Sequence, residues 1–162
     1  MLLILFIFSI QGHTANLQKI QPKTSSVNHN IPPNPSRGGL QHIREFTASA
    51  YDLSYQSCGK QPGDPSYGVT RYGINLVGKT QEEAMAVAVD PNIIPLGSKI
   101  QIIFPDRPEC NGIYTAVDTG SFQGRHIDLF FGDFNSPYPS DQALQFGRTT
   151  AKIIILATPY AF

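Results

Sequence analysis

The stretch 111–133, NGIYTAVDTGSFQGRHIDLFFGD, decides the fold. Its two halves, 112–118 and 126–131, are rich in β-branched and aromatic residues, which is typical of β-strands. The segment between them carries Gly120 and Gly124, residues that favour turns. We therefore expect two short strands joined by a turn-rich loop, each strand carrying one aspartate.

Similar short runs bounded by Gly, Pro, Asn or Asp recur along the chain. They lie at 46–51, 84–90, 99–104 and 150–157. One helix is predicted around 140–146, because Ser140 can serve as its N-cap, Asp141 lies in its first turn and Gly147 follows its last turn. Six strands with one or two short helices predict an all-β fold, a small closed barrel. The segment 57–75 is predicted to be a long loop, and long loops in compact domains are often functional.

The composition excludes one class of partner. The 12 basic and 12 acidic residues give a formal net charge of zero, so the chain lacks the positive excess on which nucleic-acid binding depends. Charged residues make up 15% of the chain, whereas it contains 14 glycines and 13 prolines. This balance is typical of a turn-rich β protein.

The N-terminal region divides into two segments. The run MLLILFIFSI is too short to span a bilayer and resembles the apolar part of a secretory signal, so residues 1–15 are interpreted as a signal-like segment. No basic residue precedes the run, and an uncleaved anchor remains the alternative. Residues 16–43 are rich in Pro, Asn, Ser and Gly and are predicted to be a disordered linker before a domain at 44–162. We expect a secreted or cell-wall-associated protein without stable membrane insertion once the signal is removed.

The two cysteines, Cys58 and Cys110, fit export, since an even count in a secreted chain indicates a disulfide. The alternative is a pair of buried thiols. The four histidines are scattered along the sequence, so no metal site is expected.

The strand pattern suggests a groove that carries carboxylates. If side chains alternate along each strand, each of three strands has one face that carries an aspartate. These faces consist of Ala84, Ala86, Ala88 and Asp90 in the first strand, of Tyr114, Ala116 and Asp118 in the second, and of His126, Asp128 and Phe130 in the third. Small residues leave room, aromatic rings offer stacking surfaces, and a carboxyl group between apolar neighbours can act as an acid near neutral pH. The alternative is that these aspartates end strands and accept hydrogen bonds from turn amides, as Asp90 before Pro91-Asn92 suggests.

The motif Asp118-Thr119-Gly120-Ser121 also occurs around the catalytic carboxylate of aspartic proteases. Such enzymes need two carboxylates that share one proton. This chain has the Asp-Thr-Gly motif once, so the second carboxylate would have to come from a second copy of the chain in a dimer. That interpretation gives Asp90 and Asp128 no role and is disfavoured.

Read together, the motifs resemble the bacterial 3D domain, a family named for three aspartates. The resemblance covers 46–157 and rests on FTASAYDLS (46–54), SCG (57–59), GDPSYGVT (63–70), AVDPNIIPLGSKI (88–100), the stretch 111–133 and ALQFG (143–147). The family is similar in fold to the catalytic barrel of membrane-bound lytic transglycosylase A, which implies a six-stranded double-psi β-barrel. It includes stationary-phase muralytic enzymes, which implies peptidoglycan glycan strands as the partner.

The resemblance implies a role for each aspartate. Asp128 corresponds to the general acid and base of the transglycosylase, and Asp118 and Asp90 support it. It also implies a monomer that needs no cofactor and cleaves the bond between N-acetylmuramic acid and N-acetylglucosamine without water, leaving 1,6-anhydro ends. The connection Ser121-Phe122-Gln123-Gly124 is one residue shorter than is common in the family and has Gln123 where a lysine is usual.

Further residues are expected to bind substrate: Tyr51, Thr70, Tyr114, Thr119 and Gly120. The competing interpretation is an expansin-like module that binds wall polysaccharide without cleaving it.

Overall fold

The computed structural model describes residues 42–159, so the signal-like segment 1–15 and nearly all of the linker 16–43 lie outside the described residues. Six strands are formed: β1 (Arg44–Tyr51), β2 (Ala86–Val89), β3 (Lys99–Ile103), β4 (Gly112–Asp118), β5 (His126–Phe130) and β6 (Thr149–Ala157). Each coincides with one of the six strands predicted from the sequence. Within the described residues, no helix is both long and apolar enough to cross a membrane.

The strands close into a barrel in the order β1-β5-β2-β4-β3-β6. The pairs β1–β5 and β2–β4 are parallel, and the other four pairs are antiparallel. Closure gives every strand two hydrogen-bonded neighbours and leaves no edge exposed to other chains. The predicted six-stranded double-psi barrel is confirmed.

The interior of the barrel is filled by branched side chains that alternate along the strands. Val87 and Val89 of β2 and Ile127 and Leu129 of β5 are at most 1% exposed and belong to one continuous core. The faces predicted for these two strands are therefore correct. The opposite face of β5 carries His126 and Asp128, which are half-buried.

A second apolar cluster covers part of the outside of the barrel. It is formed by Leu53, Leu76, Ala86, Val117 and Phe130. Leu53 and Leu76 come from the segment between β1 and β2, which folds back over β2, β4 and β5. The cluster therefore fixes this long connection on the barrel.

Three short α-helices accompany the barrel. The predicted helix is α3 (Asp141–Phe146), and Ser140 caps it by accepting a hydrogen bond from the backbone N–H of Ala143. The sequence analysis did not identify α1 (Tyr55–Cys58) or α2 (Gln81–Ala84). Each has only four residues, too few for a hydrophobic period to be visible in the sequence.

The face predicted for Asp118 in β4 is wrong because the strand contains a bulge. Val87 of β2 pairs with Ala116, but the next residue, Ala88, pairs with Asp118, so Val117 is an extra residue. Tyr114 and Ala116 share one face, which points into the barrel and not into a groove, and Val117 packs in the outer cluster, but the extra residue separates Asp118 from the face of Tyr114 and Ala116. A bulge of this kind re-aims the side chains that follow it.

The predicted Cys58–Cys110 disulfide is not formed, because both residues are free thiols. Cys58 ends α1, and its Sγ lies 3.5 Å from the carbonyl oxygen of Leu53 in the outer cluster. Cys110 ends the 3₁₀ turn Pro108–Cys110 and packs in the barrel core. Cys110 thus lies in the barrel core and Cys58 lies at the end of α1, and the alternative of unpaired thiols is the observed one.

Gly68 fixes the long connection, which gives a stability prediction. Gly68 and Gly73 both have positive φ, at 67° and 88°, but a Cβ added at Gly68 would meet the Val77 side chain at 2.5 Å, whereas one added at Gly73 meets nothing within 4 Å. We expect Gly73→Ala to cost about 1 kcal/mol from backbone strain alone. Gly68→Ala adds overpacking and should cost about 3 kcal/mol. Urea unfolding of both variants measures the difference, and equal losses would contradict this packing role for Gly68.

Candidate functional site

Two of the three aspartates lie on neighbouring strands on either side of one small residue. Ala88 of β2 is in register with Asp128 of β5 on one side and with Asp118 of β4 on the other. Adjacent strands are about 4.8 Å apart, so the two aspartate backbones are separated by about 10 Å. Ala88, the residue between them, has a small and buried side chain. The bulge at Val117 is what brings Asp118 into this register.

Asp128 belongs to a short chain of polar groups. Ser49 of β1 pairs with Asp128 in the parallel β1–β5 ladder, and its hydroxyl donates a hydrogen bond to Asp128 Oδ1. The same hydroxyl lies 2.7 Å from His126 Nε2, and that nitrogen is 3.6 Å from Asp128 Oδ1. Because a serine hydroxyl has a single proton, His126 Nε2 must donate when Ser49 donates to Asp128.

The chain can also run in the opposite direction. A protonated Asp128 would donate to Ser49, whose own proton would then turn toward His126 Nε2 in its other tautomer. Each protonation state of Asp128 therefore has a hydrogen-bonded arrangement available without any movement of the backbone.

The loop between β4 and β5 covers His126. The ring of Phe122 stacks on the imidazole with centroids 4.5 Å apart and planes 16° apart. A Cβ at Gly120 would overlap the Phe122 ring, so this position needs glycine for space. Phe122 thus restrains His126 from the side opposite the strands.

Asp118 holds the long connection next to the site. Its Oδ1 accepts hydrogen bonds from the backbone N–H of Thr119 at 2.9 Å and from that of Arg71 at 3.0 Å. Thr119 and Gly120 are exposed beside it. The structure therefore brings together Asp118, Asp128 and the predicted loop residues Thr119 and Gly120.

Asp90 lies at the end of β2 and fixes the loop between β4 and β5. Its Oδ2 accepts from the backbone N–H of Gly124 at 2.7 Å, and its Oδ1 accepts from the backbone N–H of Asn92 at 2.9 Å. These hydrogen bonds, that from Gly124 above all, lower the pKa of Asp90. The alternative stated for Asp90, a carboxylate that binds turn amides, is the observed arrangement.

Tyr51 places an unpartnered hydroxyl beside the two carboxylates. The residue pairs with Phe130 in the β1–β5 ladder, and the two rings pack with centroids 5.5 Å apart. Its hydroxyl is buried and makes no hydrogen bond with any residue of 42–159. Burial, followed by the charges of Asp118 and Asp128, raises the pKa of Tyr51 far above its ordinary value. The phenol is therefore a neutral hydrogen-bond donor throughout the neutral range.

Two residues that were predicted to bind substrate lie elsewhere. Tyr114 is 1% exposed inside the barrel, and its hydroxyl donates to the carbonyl oxygen of Cys110. Thr70 is buried in the long connection, where its hydroxyl accepts a hydrogen bond from the backbone N–H of Ile74. Both hydroxyls are engaged inside the fold, so neither residue lines the site.

Sequence reasoning missed Ser49 and Phe122 as members of the site. Ser49 lies in a run of alternating small residues, and only the pairing of β1 with β5 shows that it faces Asp128. Phe122 lies in a loop whose conformation no local pattern reveals. Among residues 42–159, no three His, Cys, Asp or Glu side chains are grouped so that they could hold a metal ion.

Five of the six strands of the barrel lie in a part of the chain that matches a known family model. Residues 85–157, which include all three aspartates, match the family model described as the 3D domain. Over these residues the chain is similar to the 3D domain family. The match spans β2 to β6, whereas β1, which supplies Ser49 and Tyr51, lies outside it.

Two curated relatives come from Bacillus subtilis (strain 168). YabE, named as a cell wall shaping protein, is 38% identical over 115 residues, which covers 70% of this chain and 23% of YabE. YocH, named as a cell wall-binding protein, is 40% identical over 90 residues, which covers 55% of this chain and 26% of YocH. The chain thus spans about a quarter of the length of these two relatives.

The solved structures that match part of the chain include two lytic transglycosylases. MltA from E. coli is 23% identical with a TM-score of 0.39, and LtgG of Burkholderia pseudomallei is 24% identical with a TM-score of 0.36. Each match covers 55% of this chain and 27% of the other.

The carboxylate of Asp90 makes the stability of the barrel sensitive to acid. Because its pKa is lowered in the fold, its contribution is present above the ordinary aspartate pKa of about 3.9 and is lost as the pH falls through the lower folded value. We expect Asp90→Asn to be less stable than wild type at pH 7 and to lose less stability on acidification. Urea unfolding at a series of pH values between about 7 and 3 measures both effects.

Asp106, which is exposed and accepts no hydrogen bond within the described residues, is the matched control. Asp106→Asn should leave the unfolding midpoint at pH 7 unchanged. An Asp90→Asn variant that loses as much stability on acidification as wild type would show that Asp90 is not responsible.

Proposed function

We propose that this domain cleaves the glycan strand of peptidoglycan between N-acetylmuramic acid and N-acetylglucosamine, with Asp128 as the one acid and base. The observation that carries the proposal is the hydrogen-bonded chain of Ser49, His126 and Asp128, with Asp118 on the other side of Ala88. The match of residues 85–157 to the 3D domain family model and the cell-wall names of YabE and YocH support peptidoglycan as the substrate. The reaction places the protein outside the cytoplasm, free or associated with the wall, acting as a monomer.

In the first step, protonated Asp128 donates its proton to the glycosidic oxygen. The bond from that oxygen to C1 of the muramic ring breaks, and the N-acetylglucosamine end leaves with a new hydroxyl group. C1 develops the positive character of an oxocarbenium ion, which the newly formed Asp128 carboxylate stabilises at short range.

In the second step, the Asp128 carboxylate accepts the proton of the C6 hydroxyl of the same muramic ring. O6 bonds to C1 and closes a 1,6-anhydro ring, which restores the carboxylic acid. No water is consumed, and one carboxyl group serves both steps, whereas ordinary glycosidases divide the duties between two.

The Ser49–His126 pair suits a carboxyl group that loses its proton in the first step and regains one in the second. Asp128 must be neutral at the start and charged between the steps, and the hydrogen-bond direction in the chain can reverse with each change. Ser49 and His126 act as positioning residues that hold Asp128 in both states. Phe122 keeps the imidazole stacked and in reach.

Asp118 and Asp90 support the site through backbone contacts. Asp118 fixes the long connection at Arg71, and Asp90 fixes the loop between β4 and β5 at Gly124. Thr119 and Gly120, exposed between these two anchors, would border the bound glycan.

A binding module is the second candidate, because YocH is named as a cell wall-binding protein. In that case the same surface would hold the glycan while no bond breaks. The two candidates differ in whether the glycan is changed after it has bound.

Replacement of Asp128 tests the catalytic proposal. We expect Asp128→Asn to lower the rate of anhydro-muropeptide release from purified sacculi by at least about 100-fold, because the amide cannot donate and then accept the proton. Asp118→Asn is the matched control and should lose less activity, since an amide oxygen can still accept from Arg71 and Thr119. Mass spectrometry of the released fragments measures both rates.

The products distinguish the alternatives. Reducing ends in place of anhydro ends would contradict the one-acid mechanism and would indicate hydrolysis with Asp118 as the second carboxylate. Unchanged glycan that sediments together with the wild-type protein would favour the binding module. A fully active Asp128→Asn variant would remove Asp128 from the chemistry.

Tyr51→Phe tests whether the unpartnered hydroxyl contacts the glycan. The variant keeps the ring against Phe130 and removes a buried hydroxyl without a partner, so the melting temperature should stay the same or rise. If the hydroxyl donates to a glycan oxygen, cleavage should fall by about tenfold, the effect of one lost hydrogen bond.

Tyr67→Phe is a control with the opposite expected result, a loss of stability without a loss of activity. Tyr67 donates to Asp133 Oδ1 at 2.8 Å, so this variant should lose about 1 kcal/mol of stability and keep its activity. A Tyr51→Phe variant that cleaves glycan at the wild-type rate would show that the hydroxyl makes no contact with the substrate.

A further inference from the structure

Tyr72 is a half-exposed aromatic residue in the long connection between β1 and β2. The connection passes beside Asp118, whose Oδ1 accepts a hydrogen bond from the backbone N–H of Arg71. The next residue, Tyr72, donates its own backbone N–H to the carbonyl oxygen of Val117 at 2.9 Å. Tyr72 is thus joined to β4 at the residue before Asp118, and it is 49% exposed.

Hydrogen bonds within the turn fix the backbone that carries Tyr72. The backbone N–H of Thr70 donates to the carbonyl oxygen of Ile74 at 2.9 Å, and that of Gly73 donates to the carbonyl oxygen of Thr70 at 2.9 Å. The Thr70 hydroxyl in turn accepts from the backbone N–H of Ile74 at 3.0 Å. A backbone that is ordered before a ligand arrives adds little entropic cost to binding.

The ring of Tyr72 is held by Gly97. A Cβ added at Gly97 would lie 2.6 Å from the Tyr72 hydroxyl oxygen and 2.7 Å from Cζ, so only glycine leaves room for this end of the ring. The backbone N–H of Gly97 donates to the carbonyl oxygen of Ala116 at 2.7 Å, which ties Gly97 to β4 as well. Tyr72 is therefore held at its backbone and at the end of its ring, although much of it remains in water.

The Tyr72 ring and the proposed acid lie on opposite sides of Asp118. Asp128 belongs to β5, Asp118 to β4, and Gly97 lies beside β4 just before β3, in the strand order β5-β2-β4-β3. Three strand spacings separate the backbones of Asp128 and Gly97 by about 15 Å. One sugar ring at Asp128 cannot reach Tyr72, whereas a longer glycan strand that crosses β2 and β4 can.

A fixed, half-exposed tyrosine ring has the chemistry to bind a sugar. The ring substituents of N-acetylglucosamine and N-acetylmuramic acid are equatorial, so the faces of these sugars carry C–H groups that pack on an aromatic ring. Tyrosine offers a rigid contact area at low entropic cost, with an apolar body and a polar tip. A stable protein partner would instead require a much larger contact surface than one ring provides.

We propose that Tyr72 forms a glycan-binding subsite, on which a sugar beyond the one next to the cleaved bond packs against the aromatic ring. The identity of the ligand rests on the proposed function. The inference adds the direction of the bound strand, which runs from Asp128 over β2 and β4 towards β3. Tyr72 takes no part in proton transfer, so the subsite acts on glycan binding and leaves the chemical step unchanged.

The test measures binding of chitobiose and chitohexaose to the full-length protein by isothermal titration calorimetry. These β-1,4-linked N-acetylglucosamine oligomers share the glycan backbone and differ in length. Chitohexaose should bind wild type more tightly than chitobiose, and Tyr72→Ala should weaken chitohexaose binding by about tenfold, because an apolar contact is lost. Tyr72→Phe keeps the ring and should bind chitohexaose like wild type.

Gly97→Ala tests the position of the ring without altering Tyr72. The added Cβ displaces the end of the ring, so this variant should also bind chitohexaose about tenfold more weakly. Gly63→Ala is the matched control, because Gly63 also has a positive φ, of 101°, but a Cβ there meets nothing within 4 Å. Gly63→Ala should bind like wild type. Melting temperatures identify the folded variants, and Tyr72→Ala, which removes only half-exposed atoms, decides the question if Gly97→Ala does not fold.

The outcomes separate the subsite from the proposed cleavage. Equal chitohexaose binding by wild type and Tyr72→Ala, or no binding by wild type, would overturn the subsite. In cleavage of sacculi, Tyr72→Ala should raise the substrate concentration at half-maximal rate, and a lowered maximal rate alone would contradict a binding role. If wild type bound chitohexaose through Tyr72 but released no anhydro-muropeptides, the proposed cleavage would fail and the subsite would stand.

Discussion

The candidate site depends on the backbone register of β2. Ala88 has Asp128 opposite it on one neighbouring strand and Asp118 on the other, so one small residue spaces two carboxylates. Regular alternation along β4 would turn Asp118 toward the core together with Ala116, and the bulge at Val117 prevents this.

The barrel alone does not shape the site, because its loops are held by carboxylates that accept backbone N–H groups. Asp118 fixes Arg71, Asp90 fixes Gly124, and Asp133 fixes Gly78. Asp52 links the end of β1 to the cap of α3 in the same way. Burial of Asp52 opposes its ionisation, but the N–H groups of Ser140 and Ser54 outweigh it and lower its pKa. The same residue type therefore serves as loop anchor at several positions and as proposed acid at one.

Much of the fold could be predicted from the sequence because its strands are short, apolar and separated by strong turn signals. Strict alternation of apolar residues predicts which side chains of β2 and β5 point into the barrel, as for Val87 and Val89 and for Ile127 and Leu129. The bulge at Val117 has no such signal, since a single extra residue changes the register without changing the composition. Tyr114 was assigned to the groove for this reason, although it lies in the core.

The disulfide and the polar partners of Asp128 could not be predicted for a related reason. The number of cysteines carries no information about where each thiol lies, and Cys110 packs in the barrel core whereas Cys58 lies at the end of α1. Ser49 faces Asp128 because β1 pairs in parallel with β5, a contact between residues 79 apart in the sequence. Local patterns specify strands, whereas the neighbours of a strand are specified by the whole barrel.

The surroundings of Asp128 distinguish it from the anchoring aspartates. Asp90 accepts backbone N–H groups on both oxygens, and such donors cannot reverse, so they favour the charged carboxylate alone. Asp128 instead faces a hydroxyl and an imidazole, groups that can each donate or accept. A carboxyl group that must give up a proton and then recover one needs partners of this second kind. Its environment, rather than its place in a motif, is therefore the strongest reason to assign the chemistry to Asp128.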